Sequence, residues 1–80
     1  MKDENSIPLS QVEEGLVVRI VGVDAGRGLR SRLLSMGLFA KMQVRVVRNG
    51  RSGPFVISIK NARMALGRGV ADKIMVTLSG

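Results

Sequence analysis

Eighty residues with two prolines allow one domain and no linker, and the absence of Cys and His removes disulfides, thiolate metal sites and the commonest general base. Net charge is +7, divided so that the first 14 residues stand at −3 and residues 15–80 at +10. That imbalance favours an acidic partner: nucleic acid, an anionic membrane face or an acidic protein.

The opening "MKDENSIPLS" lacks the apolar stretch of a secretory signal, and no apolar run approaches the ~18 residues that span a bilayer. A soluble intracellular domain with a flexible N-terminus over residues 1–6 is expected. "PLSQVEEG" reads as one helical turn, with Ser10 as cap, Glu13 completing a capping box and Gly15 as the stop. Glu13 and Glu14 therefore flank a turn rather than form an acid–base pair. "LVVRIVGV" is β-branched and short, which predicts a strand over Leu16–Val23. "MQVRVV" alternates, with Met42, Val44 and Val46 inward, and after the turn "RNGRSGP" the segment "FVISIK" puts Phe55, Ile57 and Ile59 inward. "RMAL" repeats the pattern through Met64 and Leu66, "GRGVADK" holds a helical turn over Val70–Lys73, and "IMVTL" places Ile74, Val76 and Leu78 inward. About five short strands with Gly and Asn turns predict an all-β fold, a small closed or nearly closed barrel.

One stretch breaks the strand pattern. "GRGLRSRLLSMGL", residues 26–38, puts Leu29, Leu33 and Met36 on one side of a helix, with Arg30 and Arg32 flanking them. Arg27 and Leu34 point elsewhere, Gly37 ends the helix, and Leu38 packs back on Leu33. The result is an amphipathic helix of about ten residues between the first and second strands. A phosphate cradle does not fit: no Lys-Ser/Thr pair follows the glycines, and Ser31 stands where a third glycine belongs. A lone anion at the helix N-terminus beside Arg27 and Arg30 stays open as an alternative. A helix-turn-helix lacks its second helix, since strand signals flank this one on both sides. Single-strand binding wants stacking platforms, and Phe39 is the only aromatic outside the core pattern. Met36, Met42, Met64 and Met75 mostly occupy core positions, and the acids are scattered, so no metal site and no cofactor are expected.

"RLLSMGL", preceded by a Gly/Arg turn and followed by the alternating "VRVV", resembles the signature of the FeoA family. "IPLSQVEEGLVVRIVGV" is similar to the family's opening and "ARMALGRGVADKIMV" to its end, so the likeness runs over nearly the whole chain. Where the family often continues "MGL" with a Pro-Gly turn, this sequence has Phe39-Ala40-Lys41. The resemblance implies an SH3-like barrel and a non-enzymatic accessory or regulatory role in ferrous-iron uptake. It also implies a partner, the membrane transporter FeoB, whose cytoplasmic part carries a GTP-binding domain. A related module ends certain iron-dependent repressors, but 80 residues leave no room for their DNA-binding and dimerisation domains.

Arg27, Arg30 and Leu34 are the expected contact residues for that partner, with Met36, Leu38 and Phe39 near the rim. Core packing competes with contact for the last three, most strongly for Leu38. The alternative is a small basic barrel that binds nucleic acid, motivated by the +10 balance of residues 15–80. A cytoplasmic protein with weak peripheral attraction to an anionic membrane completes the expectation.

Overall fold

The computed structural model describes residues 5–50 and 52–78. Its strands are β1 (Ile7–Pro8), β2 (Val17–Val23), β3 (Gln43–Arg48), β4 (Phe55–Ile59), β5 (Ala62–Leu66) and β6 (Ile74–Leu78). They form one antiparallel sheet in the order β1-β6-β2-β3-β4-β5. Laid flat, such a sheet would hold its two edges roughly 24 Å apart, at ~4.8 Å per strand. Yet Ile7 of β1 and Leu66 of β5 pack on the same core, so the sheet must be rolled. Helix α1 (Arg27–Ser35) connects β2 to β3, and α2 (Arg68–Ala71) connects β5 to β6.

Alternation along the strands builds the interior. Val18, Ile20, Val44, Val46, Phe55, Ile57, Ile74 and Val76 are buried, and Leu9, Val12, Leu33, Leu38 and Ala71 close the core from outside the sheet. Every buried residue among those described is apolar. Burying such side chains at ~25 cal/mol per Å² is the main favourable contribution to a domain this small.

Several expectations are corrected. To the about five strands expected, the pairing of Ile7–Pro8 with Val76 and Met75 of β6 adds a short sixth, so the helix expected between the first and second strands connects β2 and β3. A two-residue strand containing proline is hard to read from sequence, since proline confines it to an edge. Ser10 does not cap a helix. A single 3-10 turn runs from Leu9 to Gln11 with Pro8 in the cap position, and the Ser10 hydroxyl donates to Asp72 Oδ1 instead. Gly15 does adopt a left-handed conformation, at φ 92°. Strand β2 starts at Val17, leaving Leu16 exposed, and α2 begins two residues before Val70. Leu78, expected inward, is 64% exposed, because the β1–β6 pairing reaches only Val76. Most of the N-terminal stretch expected to be flexible, residues 1–4, lies outside the described residues.

A polar clasp ties three loops together at α2. The Asn49 side-chain amide donates to the carbonyls of Ser10 (3.0 Å) and Val12 (2.7 Å). Its backbone N–H donates to Glu14 Oε2 at 2.8 Å, and its Oδ1 accepts from Arg68 Nη1 at 2.9 Å. Arg68 also donates to the Gly50 carbonyl, and its guanidinium lies 5.9 Å from the centre of the Phe55 ring. One asparagine thus satisfies two carbonyls that regular secondary structure leaves unpaired.

A candidate partner-binding groove beside the first helix

Helix α1 starts at Gly26, which supplies no side-chain cap, and ends in a Schellman motif. Gly37, at φ 89°, donates to the Leu34 carbonyl at 3.0 Å, and Leu38 donates to the Leu33 carbonyl at 2.9 Å. That reversal swings Leu38 under the helix, where it is 5% exposed beside the buried Leu33. The helix is therefore pinned to the core at its C-terminal end.

Next to it, β2 departs from regular pairing. Its register against β6 shifts between Ile20 and Gly22, the mark of a bulge. The tight turn after the helix is fixed by Met42 N–H to the Phe39 carbonyl (3.3 Å) and Lys41 N–H to the Ile20 carbonyl (2.6 Å). Between the bulge, the turn and the helix lies an open groove of about 280 Å³. Ile20, Leu33, Leu38 and Ile74 form its apolar lining, with Gly22, Val23 and Ala40 at the sides. Arg30 and Leu34, one helical turn apart, make the rim. Arg30 Nη2 donates to the Val23 carbonyl at 3.2 Å, which holds the guanidinium across one end. Leu34 is 55% exposed and presents its side chain beside an apolar hollow.

The six expected contact residues are divided by this geometry. Arg30, Leu34 and Leu38 meet at the groove, Leu38 as part of its floor. Met36, 38% exposed, lines a smaller hollow of about 110 Å³ on the other flank of α1, with Leu29, Ala65 and Val70. Arg27 and Phe39 are exposed and line neither hollow, although Phe39, at 50% exposure, directly follows the helix-ending turn. Gly22, Val23, Ala40 and Ile74 were absent from the expected set. The glycine inside a strand was the one local signal available, since such a glycine often marks a bulge. Among the described residues no three acids gather as a metal site, and no helix is long and apolar enough to cross a membrane.

A rolled antiparallel sheet with a short helix between two of its strands defines an SH3-like barrel. The FeoA domain model matches residues 7–78, and the chain belongs to the FeoA family. It is 45% identical over 69 residues to "Putative Fe(2+) transport protein A" of Methanocaldococcus jannaschii, covering 86% of this chain and 83% of that protein. The crystal structure of an iron uptake regulatory protein (FeoA) superposes with a TM-score of 0.82 at 33% identity, covering 90% of this chain and 96% of that one. A manganese-dependent transcriptional repressor shares the fold at 20% identity and a TM-score of 0.85; this chain spans 45% of its length.

Proposed function

We propose that this chain is a non-enzymatic accessory protein of ferrous-iron uptake, acting on the cytoplasmic part of a FeoB-type membrane GTPase transporter. Family membership and the likeness to an Fe(2+) transport protein A and to an iron uptake regulatory protein support the iron-uptake setting. The observation that carries the docking role is the groove of about 280 Å³ with Leu34 half-exposed on its rim. A leucine held in water beside an apolar hollow costs transfer free energy that a partner's side chain can recover, ~25 cal/mol for each Å² covered. Arg30 adds a fixed cation at the same mouth, so the contact selects for an apolar segment with a carboxylate nearby.

Co-purification of the chain with the transporter's cytoplasmic part, with and without guanine nucleotide, tests this reading. Association is expected, and Leu34→Gln together with Arg30→Gln should abolish it. No association in either nucleotide state overturns the proposal. Nucleic-acid binding, the competing reading, draws its support from net charge, and the likeness to the repressor is one of fold.

A further inference from the structure

The strand registers place a second, differently built surface on the other side of the sheet. Arg45 of β3 stands opposite Val17 of β2 and Ser58 of β4, and Ser58 stands opposite Arg63 of β5. One outward row therefore reads Val17, Arg45, Ser58, Arg63 across four strands. The next row along β2 puts Arg19 between Thr77 of β6 and Gln43 of β3. A third, beyond the β3 bulge, reads Arg48, Val56, Ala65. Arg19, Arg45, Arg48 and Arg63 are all exposed. Arg19 and Arg45 are diagonal neighbours about 7–8 Å apart, and Arg45 and Arg63 are two strands, ~10 Å, apart.

No acid occupies an outward position on β2, β3, β4 or β5. The four acids among the described residues lie elsewhere. Glu13 and Glu14 sit in the turn before β2, where Glu14 accepts the Asn49 N–H, Asp24 follows β2, and Asp72 accepts from Ser10. The four strands therefore carry exposed arginines with no acid among them, and Arg45 Nη1 also reaches the Gly15 carbonyl at 3.5 Å.

Between the arginines the outward side chains are the uncharged Gln43, Ser58 and Thr77 and the small aliphatics Val17, Val21, Val56 and Ala65, with no aromatic. A single strand of nucleic acid would find nothing to stack on. The one helix long enough to enter a major groove, α1, packs through Leu33 on the inner side. Cations interspersed with short aliphatics suit an anionic lipid headgroup layer, which needs charge and tolerates shallow apolar contact.

We propose that the outward face of β2–β5, through Arg19, Arg45, Arg48 and Arg63, seats the protein on an anionic phospholipid surface. At β2 the two surfaces are back to back: Ile20 faces inward and lines the groove, whereas its neighbours Arg19 and Val21 face out. A molecule lying on lipid by its arginine face keeps the groove open for a protein segment. The lipid contact does not depend on the transporter reading, and vesicles without any transporter read it alone.

Flotation with phosphatidylcholine vesicles, with and without phosphatidylglycerol, is the test. Binding is expected only with phosphatidylglycerol and should fade as salt is added. Each arginine close to an anionic surface contributes about fivefold, so Arg19→Gln/Arg45→Gln/Arg63→Gln should weaken partitioning on the order of a hundredfold. Replacing the same three by Lys should retain it, and Arg27→Gln/Arg30→Gln, on α1, should change it less than the triple replacement. Failure of the native chain to bind phosphatidylglycerol vesicles at low salt overturns the proposal whether or not the variants fold. So does binding that persists in the Gln triple variant, or displacement from vesicles by an oligonucleotide at equal charge concentration.

Discussion

Two short helices sit on this barrel, each behind a glycine N-cap, and differ in what surrounds them. Beside α2 a polar clasp joins the loops: Asn49 bridges to Ser10, Val12 and Arg68, and Arg68 continues to Gly50 and over Phe55. Around α1, Leu34 and Met36 stand partly in solvent beside two hollows. The first arrangement completes a fold. The second leaves apolar surface uncovered at a site where the backbone is nonetheless rigidly set by a Schellman motif and a bulge. Stability and availability are thus assigned to the surroundings of two different helices in one small molecule.

The largest effect is expected at the groove floor. Leu38→Ala should cost about 3 kcal/mol in urea unfolding, because Leu38 is core as well as lining. A cost below ~1 kcal/mol would mean that the α1 end is not pinned as described. Asn49→Ala should cost about 2 kcal/mol, since it strands two carbonyls and removes the Arg68 acceptor. An unchanged unfolding midpoint there would dissolve the distinction between the tied surroundings of α2 and the open surroundings of α1. A gain is expected beneath α1: Lys41 has φ 73°, a left-handed conformation that side chains resist, so Lys41→Gly should stabilise by roughly 0.5–1 kcal/mol. The smallest effect is the sharpest. Leu34→Gln, on the rim, should shift stability by less than about 0.5 kcal/mol while abolishing partner binding together with Arg30→Gln.

Much of the barrel was legible because its strands alternate. Val44 with Val46, Phe55 with Ile57 and Ile74 with Val76 are pairs two apart, and each is buried as that period requires. The helix end was equally legible, because a glycine followed by leucine specifies both the reversal and the residue that packs back. What escaped was long-range. Ser10 looked like a local cap, but its hydroxyl meets Asp72, 62 residues away. Asn49 looked like a turn residue, and only the fold brings the carbonyls of Ser10 and Val12 to its amide. The groove was half visible, since Arg30, Leu34 and Leu38 belong to one motif while Gly22 and Ile74 arrive from strands.

Strand order carries a consequence for the timing of folding. The last strand in the chain, β6, lies between the first two, β1 and β2. Every other strand emerges from the ribosome before the one that joins them, and at ~5–20 residues per second the wait lasts seconds. During that interval β1 has no partner, and the edge of β2 destined for β6 is bare. The bare edge ends at Gly22 and Val23, where the bulge disrupts any regular ladder that a neighbouring chain could extend. The irregularity that opens the groove in the finished molecule therefore also shortens the sticky edge of the unfinished one.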